Sequence, residues 1–184
     1  MEIRITTLSE NTANYGYLAE WGLSILVEAD CMRILMDTSL SFSAMYNAHL
    51  MGIDLPMVDR IVLSHGHADH TGGLRNVLKI MRKDVEVVAH HDIWTLKYTR
   101  RNGQEKEQYI GIPFSREELE SRGVRFNLSK EPVRISEHIM TTGEIPMIMG
   151  YEKIEDNLFV RKLLHQLHVH VECSYYNQEG RSIG

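Results

Sequence analysis

Cysteine is scarce in this chain: there are two, Cys31 and Cys173, far apart in the sequence. That excludes the disulfide framework of a small secreted domain. No apolar run approaches the roughly 20 residues of a membrane span. The opening "MEIRITTLSE" alternates like a strand and lacks the charged start and apolar stretch of a secretory signal. A cytoplasmic protein is expected. Basic charge is also lacking, since the formal net charge is -5, so neither nucleic acid nor membrane is expected as a partner. Internal repeats and low-complexity tracts are absent too. What remains is a chain of 184 residues with 43% apolar content, enough for one domain with a sizeable core.

Apolar patterning predicts strands at residues 3–8, 24–28, 33–36, 58–63 and 85–91, and a helix over 41–51 that stops at Gly52. Leu74, Val77, Leu78 and Met81 fall at helical spacing, with Arg75, Lys79 and Arg82 left for solvent. Ser115 with Glu118 three residues later has the form of a capping box, and Gly123 ends that helix. Shorter strands are expected at 124–128, 132–135 and 138–142. Residues 97–108, "KYTRRNGQEKEQ", show no apolar period and are read as an exposed polar insertion. Strand, loop, helix and strand in succession imply a layered α/β fold, whose ligands gather at the carboxyl ends of strands.

At one such end stands "LSHGHADHTGG", which packs His65, His67, Asp69 and His70 into six residues. His65 and His67, separated by Gly66 in a tight turn, are placed to converge on one ion, and Asp69 with His70 on a second. Thr71, Gly72 and Gly73 are expected to begin a helix whose amino end favours negative charge.

The stretch resembles the H-x-H-x-D-H signature of the metallo-β-lactamase fold superfamily. Supporting pieces are "NYGYLAEWGLSILVE" (14–28), "ILMDTS" (34–39) and "TTGEIP" (141–146). These are similar to the branch named 7,8-dihydropterin-6-methyl-4-(β-D-ribofuranosyl)aminobenzene 5'-phosphate synthase. The resemblance implies an αββα sandwich and two divalent metal ions, zinc first, with iron or manganese as alternatives. It implies that His65 and His67 hold one metal and that Asp69 and His70 hold the other. Asp69 would double as the catalytic base or orient the attacking water. Asp37 either fixes a metal-binding histidine through its other ring nitrogen, or is simply a turn aspartate at a strand end.

The superfamily site also takes ligands from the second half of the fold, including an element like "GC-x-H" that has no counterpart here. Residues 1–162 are therefore read as the amino-terminal part of the fold, incomplete in its carboxyl half. Residues 163–184 are read as an atypical tail, from truncation or an altered reading frame. His165, His168, His170 and Cys173 in that tail are capable ligands whose spacing matches no superfamily element. His90, His91 and His138 are candidates for the site mouth or plain strand-end residues, His49 is a surface group, and residues 99–101 offer arginines for a phosphate.

The leading reading is a metal-dependent hydrolase, or related transferase, that uses a metal-activated hydroxide on a small molecule such as a phosphorylated pterin or ribosyl compound. The alternative is a truncated, non-catalytic member that binds metal weakly, or completes its fold as a homo-oligomer or with a complementing chain. Redox use of a di-iron centre is a third option.

Overall fold

The computed structural model describes residues 2–100, 106–146, 157–161, 175–176 and 182–183. The elements run β1 (Arg4–Ser9), β2 (Ser24–Ala29), β3 (Met32–Met36), α1 (Ser43–Leu50), a 3-10 turn (Leu55–Met57) and β4 (Arg60–Val62). They continue with α2 (Ala68–Thr71), α3 (Leu74–Met81), β5 (Val85–Ala89), β6 (Leu96–Arg100), β7 (Glu107–Tyr109), α4 (Arg116–Glu120) and β8 (Val124–Leu128). Short strands β9 (Leu158–Arg161), β10 (Tyr175–Tyr176) and β11 (Ser182–Ile183) complete the order.

A six-stranded sheet has the order β1-β2-β3-β4-β5-β8. Its first three strands are antiparallel and its last four, sharing β3, are parallel. Parallel neighbours need a crossover; α1 lies between β3 and β4, α3 between β4 and β5, and α4 between β5 and β8. The fold is mixed α/β. A second, antiparallel sheet of order β7-β6-β9 is inserted after β5, and β10 pairs with β11. No helix among the described residues is long and apolar enough to cross a membrane.

Burial follows the apolar pattern. Leu74, Val77, Leu78 and Met81 of α3 are all buried, and join Leu26, Leu35, Ile61 and Val87 of the sheet in one core, while Arg75, Lys79 and Arg82 are exposed. In α4 the Ser115 hydroxyl accepts from the Glu118 N–H at 3.1 Å, the first half of a capping box. The Glu118 carboxylate is drawn off to a bidentate pair with Arg75 at 2.7 and 2.8 Å.

Two readings of the sequence are corrected. Within 97–108, β6 and β7 form a paired hairpin whose β6 residues are all half-buried. Cross-strand partners supply what apolar alternation does not: Arg100 pairs with Glu107 at 2.8 Å, and Tyr98 packs against Tyr109 and Phe159. Residues 132–135 and 138–142 make a single antiparallel bridge, Arg134 with Met140, instead of strands. Their backbone groups pair locally, Ile135 N–H with Ile139 C=O and Thr141 N–H with Val133 C=O. The 162/163 boundary, His165, His168, His170, Cys173 and Arg101 lie outside the described residues.

Candidate metal centre

β4 ends at Val62, and the loop that follows is anchored at once by Leu63 N–H to Val88 C=O of β5 at 2.9 Å. Across the sheet, β3 ends at Met36 and Asp37 adopts a left-handed conformation, φ 56°, which aspartate tolerates better than most residues. Its carboxylate has no exposed surface. Oδ1 accepts from Ser64 N–H at 2.8 Å; Oδ2 accepts from Ser64 Oγ–H and from His70 Nδ1–H, each at 2.7 Å. With its proton on Nδ1, His70 keeps Nε2 as a lone-pair donor.

The four signature side chains meet at this point, all half-buried. His65 Nε2 is 3.1 Å from His67 Nδ1, and the His65 and His70 ring centroids are 4.1 Å apart. His70 Nε2 is 3.7 Å from Asp69 Oδ2. One ligating atom each from His65, Asp69 and His70 lies within 4.8 Å of the others. His65 thus sits with Asp69 and His70 and also touches His67.

Burial, aided by the neighbouring histidines, pushes His65 down to about 4. Burial also lowers His67, against the pull of Asp69 and with the Lys97 cation adding to it. His70 is raised, because the hydrogen bond and charge of Asp37 outweigh its burial. Two imidazoles are therefore neutral near pH 7 and the third is held in one tautomer. Two imidazoles and one carboxylate within 4.8 Å of one another, a third imidazole in contact through His65 and one ring clamped from behind make a donor set that fits a divalent cation.

The surroundings explain the loop's shape. Gly66 does not have the positive φ a tight turn would require; it is glycine because a Cβ there would stand 2.2 Å from the Ile93 carbonyl oxygen and 2.8 Å from Lys97 Nζ. The turn after β5 packs directly on the backbone between His65 and His67. On the other side, Gly22 (φ 142°) would put a Cβ 2.1 Å from the Asp69 carbonyl oxygen. Asp69 and His70 ride on the single turn α2, so the helical backbone starts earlier than expected, before Gly72 and Gly73.

Other candidates are placed as follows. His90, His91 and Asp92 form a second close group on the turn after β5. His90 Nδ1 accepts from Asp92 N–H at 3.2 Å and its Nε2 lies 3.4 Å from Glu144. His138 pairs with Asp30 in the β2–β3 turn. That turn precedes β3 whereas Asp37 follows it, so His138 is at the far end of the sheet. Arg100 is engaged by Glu107, and His49 is exposed at the end of α1. Lys97 went unnoticed in the sequence, where it opens a run of polar residues and no local signal marks it.

Known proteins resemble this chain in sequence and in fold. The sequence model of the metallo-β-lactamase superfamily matches residues 22–181. A Methanocaldococcus jannaschii protein named 7,8-dihydropterin-6-methyl-4-(beta-D-ribofuranosyl)-aminobenzene-5'-phosphate synthase is 34% identical over 153 residues, 78% of this chain and 51% of that protein. A second, uncharacterized protein of the same organism is 33% identical over 152 residues, 82% of this chain and 57% of it. The chain thus spans about half the length of these relatives. A crystal structure of a metal-dependent hydrolase of the β-lactamase superfamily shares the fold with a TM-score of 0.68 at 24% identity, covering 88% of this chain and 55% of that one. The chain belongs to the metallo-β-lactamase superfamily.

Proposed function

We propose that the chain carries the metal-binding loop of a metal-dependent enzyme, with His65, His67, Asp69 and His70 as ligands. The observation that carries this reading is the convergence of those donors in front of a buried carboxylate that clamps His70. A divalent cation held there, zinc first, would stabilise negative charge on a substrate oxygen and acidify water. His65 and His67 offer unprotonated nitrogens at neutral pH, Asp37 keeps the His70 proton on Nδ1, and the Asp69 carboxylate is the group on hand to accept a proton from water. The reaction class is hydrolysis or a related transfer. A phosphorylated pterin or ribosyl compound is the substrate class, supported by the name of the 34% identical relative. The exposed free thiol of Cys31 suits a reducing cytoplasm.

Metal content per chain, measured by plasma mass spectrometry on protein purified without chelator, tests the reading. Stoichiometric metal that is lost in His67→Ala, with turnover in a phosphoester screen lost in parallel, is expected. Native protein free of metal would sink it.

A further inference from the structure

Lys97 is the first residue of the stretch that reads as an exposed insertion, yet its side chain is half-buried beneath the signature loop. Its Nζ donates to the carbonyls of Ile93 and Thr95, each at 3.0 Å, and reaches that of Asp92 at 3.5 Å. An ammonium has three N–H groups, and three main-chain carbonyls surround this one. The same Ile93 carbonyl and the same Nζ are the two groups against which Gly66 packs without room for a Cβ. Lys97 therefore closes the 92–97 turn and presses it on the one residue that separates His65 from His67. Burial lowers the Lys97 ammonium against the pull of Asp92, and the three carbonyls give that half-buried charge its hydrogen-bond partners.

We propose that Lys97 is a positioning residue of the metal centre, holding the turn after β5 against Gly66 so that His65 and His67 face the same cation. This rests on the metal reading above. Without the ammonium, the Ile93 and Thr95 carbonyls lose a half-buried donor and the turn is free to lift from Gly66. The two histidines then lose their common aim. Groups that orient ligands from behind in this way are typically worth about 10- to 100-fold in metal affinity.

The test uses Co2+ as probe, titrated into the native chain, His67→Ala, Lys97→Met and Lys97→Arg, with the visible ligand-field spectrum and the dissociation constant as readouts and urea unfolding in parallel. Lys97→Met keeps the length and apolar stem of the side chain. It is expected to weaken Co2+ binding by about 10- to 100-fold and to shift the spectrum while the metal-free chain remains folded. Lys97→Arg, which keeps the charge and donors on a bulkier planar head, is expected to recover part of the affinity lost in Lys97→Met. Native affinity and spectrum in Lys97→Met would overturn the proposal, as would equal losses in Met and Arg, which would mean packing alone matters. Should Lys97→Met fail to fold, Lys97→Gln replaces it with the same two outcomes. A native chain that takes up no Co2+ would overturn the metal reading and this proposal together, whereas uptake lost only in His67→Ala would overturn this one alone.

Discussion

Asp37 is fully buried, and its carboxylate accepts from three donors at once from a left-handed backbone position. Replacing it by alanine strands the Ser64 N–H and the His70 Nδ1–H. Asp37→Ala should cost about 3 kcal/mol in urea unfolding of the metal-free chain. Asp37→Asn keeps the volume but turns an NH2 toward one of those donors, so it should lower metal affinity by about 10- to 100-fold, measurable by competition with a chromophoric chelator. In the sequence Asp37 reads equally well as a turn residue, because its partners Ser64 and His70 are 27 and 33 residues away.

Among the elements, α3 shows where burial energy is concentrated. Leu78→Ala, at a position 4% exposed, should destabilise by about 3 kcal/mol, while Lys79→Ala on the opposite face should change stability by less than about 0.5 kcal/mol; chemical denaturation distinguishes the two. This helix and the buried strands were legible in the sequence because their partners sit on a core that rewards apolar spacing. The histidine loop was legible as a cluster because its side chains are adjacent in sequence and its flanking strand and glycines set the context. The β6–β7 hairpin was not, since it rests on cross-strand pairs such as Arg100 with Glu107 and on β9, more than 50 residues away by pairing of Tyr98 with Phe159. Nor was the role of Gly66, whose constraint comes from the Ile93 carbonyl rather than from its own φ.

For the whole molecule, acid is the informative variable. His65 stays neutral in the folded chain down to about 4, against 6.5 for an ordinary histidine, so the unfolded chain binds a proton first as the pH falls. That contribution to stability is present above pH 6.5 and is lost on the way down through about 4. Glu20 acts in the same direction: hydrogen bonds from Ser41 and Ser43 outweigh its burial and hold its carboxyl low. His70 opposes them, since its raised value gives a contribution present at low pH that fades as the pH rises through its folded value. The urea midpoint of the metal-free chain should therefore fall between pH 7 and pH 4.5, and His65→Asn should flatten that slope; an unchanged slope would contradict the environment described for His65.

The four donors lie between positions 65 and 70, whereas the carboxylate behind them belongs to a segment 33 residues from His70. Little chain entropy separates donors so close in sequence, and a denatured chain keeps them within reach of a cation. A metal held by these donors would then bind both ends of the folding equilibrium. What it adds to thermal resistance is set by the ratio of the two affinities and not by the native affinity alone, so tight binding and a modest rise in melting temperature are compatible here. Distant residues such as Asp37 act as partners only in the folded chain, and any preference for folding that a bound metal conferred would be carried through them.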